Sequence, residues 1–423
     1  MAAFLARAPV ASPVSPSARD NARMAETLIT IARARERVLN TTQVLPLETI
    51  AIGDALDRVL ASDLRAVGNV PVFPCSAMDG YAIKAGPPGR SLTVIGESRA
   101  GAPSALELHP GEAIRISTGA AIPAGADAII PQEDADRHDS TIITGARIDP
   151  GHHIRQPGED LRAGTTVLRS GTVLRAAELG AAVAAGAGAV AVHRCPIVAV
   201  LCTGDELRPA GAPLGPGEIH NSNAPMLAGL ATRCGAAVAT VGRIPDDRAA
   251  TEATLAAALQ GADVVVISGG VSVGPYDHVK PALATLGVTE LFWGVSLQPG
   301  KPTWFGERGR QLVFGLPGNP VSAVVTFSLF ARPAIAALQG TTADGQLDRE
   351  AMLEHAVARN PVREQALRVR LERRHGATIA IPNGPQGSHI LSSLLGADAL
   401  ALIPPGRGEV EAGTTVALEV LAR

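Results

Sequence analysis

Asp263-Val264-Val265-Val266-Ile267-Ser268-Gly269-Gly270-Val271-Ser272-Val273-Gly274 is the stretch whose reading decides the fold. Val264 to Ser268 is a short apolar run rich in β-branched residues, the pattern of a strand buried on both faces of a parallel sheet. It breaks into a glycine-rich turn, with Asp277 and Lys280 beyond it. Two further turns follow strand-like runs: Gln298-Pro299-Gly300-Lys301-Pro302 and Gly315-Leu316-Pro317-Gly318-Asn319-Pro320. Glycine after a strand lets backbone N–H groups approach a ligand, and a helix start behind the turn favours an anion. An ordinary strand-to-helix turn needs glycine too. Three such turns in sequence, with an Asp and two Lys among them, point to a phosphate-type site. Its candidate substrate-binding residues are Ser268, Gly269, Gly270, Ser272, Gly274, Lys280, Lys301, Pro317, Gly318, Asn319 and Pro320.

Around this stretch, strand and helix patterns alternate from residue 196 to 339. Ile197 to Leu201 and Ala237 to Val241 read as strands; Asn223 to Cys234 and Arg248 to Leu259 read as helices. Pro281 to Leu286 reads as a helix and Glu290 to Val295 as a strand. A hairpin turns at Glu307-Arg308-Gly309-Arg310, and a long helix runs from Pro320 to Leu338. Alternation of this kind predicts a three-layer α/β domain with a mainly parallel sheet, its ligands bound past the carboxyl ends of the strands.

Upstream, residues 1–20 read as a disordered tail and Ala25 to Asn40 as a helix, with a second short helix from Ile52 to Ala61. Residues 63–157 alternate short β runs with turns and form a β-rich domain. Residues 158–195 hold a strand at Thr165 to Leu168 and an Ala-rich helix from about Ala176 to Ala185. They are expected to return to residues 21–62 and complete one elongated N-terminal domain with them. Beyond a linker, residues 345–423 read as a small β-barrel-like domain.

The whole chain excludes several functions. Its 423 residues carry a net charge of −3 and 3% aromatic residues, which offers neither a basic footprint for nucleic acid nor stacking platforms for single strands. Cys75, Cys195, Cys202 and Cys234 show no CxxC spacing, which suggests a reducing, cytoplasmic setting. No apolar run is expected to span a bilayer, and the N-terminus lacks a signal-peptide pattern. Only three lysines occur, Lys84, Lys280 and Lys301, each beside a glycine- or Asp-bearing motif. Where Arg serves almost everywhere else, these compact charges suit an end-on approach to phosphate.

Carboxylates gather at the predicted strand ends: Asp205-Glu206, Asp246-Asp247 and Asp277. They could hold a cation, or they could simply start helices, as Asp247 is placed to do before Arg248. Glu218-Ile219-His220-Asn221-Ser222-Asn223 admits the same two readings, ligand contact or helix cap. Ser76-Ala77-Met78-Asp79-Gly80-Tyr81 reads, taken alone, as a turn. His152-His153 is adjacent rather than one helical turn apart, which makes a poor metal pair.

Ser76 to Ala82, Thr203-Gly204-Asp205-Glu206, Ser268 to Gly274, Pro299-Gly300-Lys301-Pro302 and Gly315 to Pro320 stand in the order found in the MoeA family, the molybdopterin molybdenumtransferases, to which the C-terminal part of gephyrin is also related. The chain resembles that family from about Ala25 to Leu421. The resemblance implies a four-domain elongated subunit and a homodimer with its site between subunits. It implies insertion of molybdate into adenylylated molybdopterin, release of AMP, and help from Mg²⁺. By the same resemblance, Asp79 and Thr118 are functional residues of the β domain and Asp160 the acid of its Gly-Glu-Asp turn. Glu206, Asp246 and Asp277 are catalytic and metal-binding acids of the α/β domain. Pro317 and Pro320 shape the last loop, and Ser388 belongs to the C-terminal domain's motif. A molybdopterin adenylyltransferase is a candidate partner.

One departure stands out. Many family members carry a basic residue just after the Phe-Trp pair and another before Pro-Gly-Lys-Pro, where this chain has Gly294 and Gln298. Arg115 or Arg155 would have to compensate, or anion affinity differs. The alternatives are an adenylyltransferase, which the four-domain length opposes, and a weakened paralogue or scaffold.

Overall fold

The computed structural model describes residues 28–271, 277–341 and 349–421. The chain divides into two compact units, one formed by residues 47–192 and the other by the flanking segments up to Pro46 and from His193 onward.

The larger unit contains the α/β layer. Its six-stranded sheet runs in the order Ala237–Ile244, Ile197–Thr203, Val264–Ser268, Gln311–Leu316, Trp304–Arg308, Thr289–Trp293. The first four strands are parallel; the hairpin that the sequence predicts adds Trp304–Arg308 antiparallel to Gln311–Leu316, and Thr289–Trp293 pairs antiparallel with Trp304–Arg308. Val264 to Ser268 is the central strand and is buried throughout, as its unbroken apolar run requires. Helices Asn223–Arg233, Arg248–Gly261, Val279–Thr285 and Pro320–Leu338 connect and cover the strands. Parallel strands present their carboxyl ends on one edge, so the turns after Thr203, Ile244, Ser268 and Leu316 emerge together.

Pro320–Leu338 is 19 residues long and carries a π-helical segment at Phe327–Ala331. By length and composition it is apolar enough to cross a membrane, contrary to the expectation that no segment is. It is instead the core helix of this unit, with 89% of its apolar window buried. Phe327, Leu329 and Phe330 join sheet residues Val266, Phe305 and Phe314 and barrel residues Ala366, Leu400 and Leu402 in one hydrophobic cluster. At about 25 cal/mol per Å² of buried apolar surface, such a cluster is the main stabiliser of the unit.

The barrel is five-stranded and closed: Glu364–Arg374, Ala377–Pro382, Arg349–Leu353, Thr415–Val420 and Ala399–Ile403, with the last pairing back onto the first. Leu297–Gln298, leaving the α/β layer, pairs in parallel with the start of the Glu364–Arg374 strand, with Gln298 opposite Gln365.

The N-terminal helix spans Ile31–Thr41, with Thr30 Oγ1 accepting from Arg33 N–H. Ile31, Ala34 and Val38 are buried against the α/β cluster, so this helix packs there rather than with the return segment expected to meet it. Arg35 fixes it further by an ion pair to buried Glu419 of the barrel.

The smaller unit is β-rich. Its main sheet runs Ala128–Pro131, Gly80–Ile83, Glu112–Ile116, Ser91–Ser98, Thr141–Thr144, Ala135–His138. A second part pairs Leu47–Ala51 with Ala189–His193 and Leu64–Arg65 with Thr166–Leu168, beside helix Ala176–Ala184. The helix expected from Ile52 to Ala61 reduces to a 3₁₀ turn at Ile52–Asp54. Asp57 adopts φ 61°, and Val59 and Leu60 bridge to Val173 and Val192, so tertiary pairing overrides the helical pattern.

Candidate functional site

Two adjoining cavities open over the carboxyl edge of the α/β sheet. The larger, about 450 Å³, is lined by Thr203, Glu206, Asn223, Ser268, Gly269, Gly270 and the Pro317–Pro320 turn, among others. The smaller, about 220 Å³, shares Thr203, Glu206, Gly269, Gly270 and Gly318 with it, and adds Asp246 and Asp277. Glu206, Asp246 and Asp277, from three separate loops, thus line one cavity.

The adjacent pair Asp205-Glu206 divides its work. Asp205 Oδ1 accepts from Asp246 N–H at 3.3 Å, while Asp246 Oδ2 accepts from Asp205 N–H at 3.2 Å. Arg243 donates to Asp205 Oδ1 and to Gly204 O, both at 3.3 Å. Asp205 therefore fastens two strand-end loops together. Glu206 is exposed and lines both cavities. Asp247 caps the helix behind it, accepting from Ala250 N–H at 2.8 Å. The loop between Glu206 and the next helix is held by Glu218, which accepts from Arg208 Nη2 and from Gly215 N–H at 2.8 Å. The Gly215 hydrogen bond, followed by the bond from Arg208, holds the Glu218 carboxyl below the usual carboxylate range.

These acids present hard oxygen donors. Among the described residues, no three His, Cys, Asp or Glu side chains come together closely enough to hold a metal ion. Magnesium commonly takes one or two carboxylates and completes its shell with substrate phosphate and water, so the donor set fits that ion.

Ser268, at 2% exposure, is the hub of the glycine-rich turn. Its Oγ donates to Pro317 O at 3.0 Å and accepts from Asn223 Nδ2 at 2.8 Å. Asn223 Nδ2 also donates to Gly318 O at 2.7 Å. Two strand-end turns and the start of the Asn223–Arg233 helix are tied at one point. Sequence reasoning left the role of Asn223 open between ligand and cap; the capping is done by Asn221, whose Oδ1 accepts from Ala224 N–H at 3.1 Å. Cys202, on the same cavity wall, has its thiol pushed up to about 11 by burial, offset in part by a hydrogen bond with Asn221, and is a poor nucleophile at neutral pH.

Pro320 opens the core helix at its first position, and Asn319 makes no capping bond. Asn319 Nδ2 instead donates to Ser388 Oγ at 3.1 Å, joining the last sheet turn to the barrel loop. Lys280 lies with Nζ 5.0 Å from the Trp293 ring centroid, a cation–π contact. Lys301 is half-buried in its turn, where its carbonyl accepts from Val295 and Thr303. Ser272 and Gly274 lie outside the described residues.

Gly294 and Gln298 each have a structural occupation. Gly294 adopts φ 86°, and its peptide is pinned by Ile29 and Thr303. A longer side chain there is strained and would crowd Leu28. Gln298 Oε1 accepts from Asn360 Nδ2.

In the smaller unit, Asp79 Oδ1 accepts from Thr118 N–H at 3.0 Å, so the structure brings these two candidates together, both exposed. The turn before them is shaped by Ser76 Oγ, which donates to Met78 O at 2.6 Å. Gly80 follows because any Cβ there would collide with Ile130 O of the neighbouring strand. Asp160 lies apart from that pair, on a cavity of about 400 Å³ with Cys75, Arg155 and Glu159.

Comparison with known proteins agrees with this architecture along almost the whole chain. Residues 29–186 match the MoeA N-terminal region (domains I and II), 199–337 a probable molybdopterin binding domain, and 350–421 the MoeA C-terminal region (domain IV). The chain is 36% identical to the molybdopterin molybdenumtransferase of Haemophilus influenzae, covering 93% of this chain and 98% of that protein. It is 38% identical to molybdopterin molybdenumtransferase 2 of Mycobacterium tuberculosis, over 86% of this chain and 93% of the relative. A crystal structure of the molybdopterin biosynthesis MoeA protein from Pyrococcus horikoshii OT3 superposes with a TM-score of 0.77 at 30% identity, covering 93% of this chain and all of that one. The chain belongs to the MoeA family, that of the molybdopterin molybdenumtransferases.

Proposed function

We propose that this protein inserts molybdate into adenylylated molybdopterin, cleaving the pyrophosphate link and releasing AMP, to give the molybdenum cofactor. The observation that carries this reading is the single cavity lined by Glu206, Asp246 and Asp277 beside the Ser268-Gly269-Gly270 turn. A pyrophosphate fits the boundary between glycine-rich backbone and carboxylates, provided a cation lies between them. Magnesium held by Glu206, Asp246 or Asp277 would supply the charge that offsets the phosphates during displacement at phosphorus. The backbone of Gly269 and Gly270 orients the anion, with Lys301 contributing positive charge. Asp205 holds the Asp246 loop in place. Ser388, linked to Asn319, closes the barrel side of the turn. Asp79 and Thr118 serve the site of a second copy in a homodimer, where Asp79 orients water or molybdate, and Asp160 contributes from the same β-rich unit.

The test is turnover by the purified chain. Adenylylated molybdopterin, molybdate and magnesium should yield AMP and a cofactor that activates an apo-molybdoenzyme. AMP release that ignores molybdate would overturn the proposal. Formation of adenylylated molybdopterin from ATP would replace it with the adenylyltransferase reading.

A further inference from the structure

The Ser268-Gly269-Gly270 turn is fixed at its entry by a neighbouring strand and at its exit by one side chain from the far edge of the sheet. Gly269 gives its N–H to Leu316 O at 2.9 Å. Gly269 and Gly270 then run at φ 90° and 66°, packed against Thr203 and, at Gly270, against Val279 as well, so neither position has room for a Cβ. The N–H groups of Gly270 and Val271 find no acceptor among the described residues, and both residues line the larger cavity. They are the donors that the turn has left to offer an anion. Their placement depends on Val271. Its side chain, at 1% exposure, lies over Gly315, where a Cβ would come within 2.5 Å of Val271 Cγ1. Its carbonyl accepts from Trp293 Nε1 at 2.9 Å.

Trp293 ends the edge strand Thr289–Trp293, with Gln311–Leu316 and Trp304–Arg308 lying between that strand and Val264–Ser268. An indole has a single N–H donor, and here it is spent on the turn. The face of the same ring carries Lys280 Nζ, 5.0 Å from its centroid. Lys280, a sequence candidate for substrate contact, is not among the residues that line either cavity. We propose that Trp293 is a positioning residue of the anion-binding turn. Its N–H holds the Val271 carbonyl and so sets the turn's remaining donors, and its ring seats Lys280, which supplies positive potential from that seat rather than by direct contact. This rests on the molybdopterin reading given above, in which the turn binds the pyrophosphate.

The probe is magnesium pyrophosphate, titrated into the full-length protein by calorimetry. Trp293→Phe keeps an aromatic face for Lys280 but loses the N–H, and should weaken binding about fivefold, the scale of one hydrogen bond. Trp293→Leu removes the face as well and should weaken binding further. Lys280→Met should weaken binding several-fold in the wild-type background and have little effect in the Trp293→Leu background, where the cation has already lost its seat. Calorimetry returns the competent fraction as stoichiometry and the affinity separately, so a destabilised variant still reports. In turnover, Trp293→Phe should raise KM for adenylylated molybdopterin by a similar factor and lower kcat less, a split that loss of folded protein alone does not produce. The proposal is overturned if wild type does not bind magnesium pyrophosphate, if Trp293→Phe matches wild type in Kd, or if Lys280→Met costs as much in the Trp293→Leu background as in wild type. Molybdate-dependent AMP release by wild type is scored separately. Its absence, with the pyrophosphate pattern intact, sinks the functional reading alone, whereas intact turnover with wild-type Kd and KM in Trp293→Phe sinks only the role of Trp293.

Discussion

Asp205 and Glu206 are neighbours in sequence with different occupations, and the difference is testable. Asp205 spends both its carboxylate and its N–H on the loop that carries Asp246, while Glu206 lines the cavities. Glu206→Gln should lower the rate of AMP release by roughly a hundredfold or more, the scale expected when a directly acting carboxylate is lost. Asp205→Ala should act differently, raising the magnesium concentration for half-maximal turnover several-fold with a smaller fall in the saturated rate. Its thermal stability should stay within about 0.5 kcal/mol of wild type, since the site is exposed. Equal kinetic profiles for the two variants would refute the division. Glu218 offers a pH test at the same scale. Its carboxyl is held low by the Gly215 N–H and by Arg208, so its contribution is present above the unfolded value of about 4.3 and is lost as pH falls through the lower folded value. In urea titrations, the stability gap between wild type and Glu218→Gln should therefore be open at pH 7 and close below pH 4. A gap that persists in acid would contradict the assignment. Asn223 shows why single residues were harder to read than motifs. Asn221 and Asn223 look alike in sequence, and only the tertiary arrangement makes one a helix cap and buries the other against two strand-end turns.

At the level of elements, period and punctuation read well wherever an element is buried on its own account. The Val264–Ser268 strand, the Gln311–Leu316 strand and the Asn223–Arg233 helix lie close to where their patterns put them. Reading failed where long-range pairing decides. Ile52 to Ala61 has helical spacing, yet its later half bridges to residues more than a hundred positions away. The core helix is the converse case: it reads as one long helix from Pro320 to Leu338, as found, and Arg332 within it is paired. Glu419, at 1% exposure, receives both Arg332 and Arg35, which ties the core helix, the N-terminal helix and the last barrel strand together. Removing the negative charge leaves two guanidinium groups without their counter-ion, Arg35 at 14% and Arg332 at 9% side-chain exposure. Glu419→Gln should cost about 3–5 kcal/mol in denaturant unfolding. The double change Glu419→Leu with Arg332→Met should cost less than Glu419→Gln alone, because it removes the more buried cation with its partner and leaves only the more exposed Arg35 unpaired. A double variant less stable than the single one would show that packing, rather than charge compensation, dominates there. The same logic makes Arg368, fully buried with its Nε on Ser393 Oγ and Nη2 facing Pro385 O and Gly387 O, a scaffold for the loop that bears Ser388.

For the molecule as a whole, the candidate groups fall into two sets carried by two compact units. Asp79 and Thr118 are joined by a hydrogen bond in the β-rich unit. Glu206, Asp246 and Asp277 share a cavity in the α/β unit. If a complete site takes one set from each of two subunits, two different defects should complement. Asp79→Asn and Glu206→Gln chains, each severely impaired as homodimers, can be coexpressed with distinct tags and the mixed dimer purified through both. In that dimer one site receives both defects and the other receives neither, so it should recover about half of the wild-type rate per dimer. If each site is instead assembled within a single chain, every site in the mixed dimer carries one defect and the rate stays at the level of the homodimeric variants. The comparison needs no assumption about which acid binds magnesium, because it depends only on whether the two sets come from the same chain. Light scattering on the wild-type protein, giving a mass of two chains, is the accompanying control; a monomeric mass with full turnover would remove the shared site altogether.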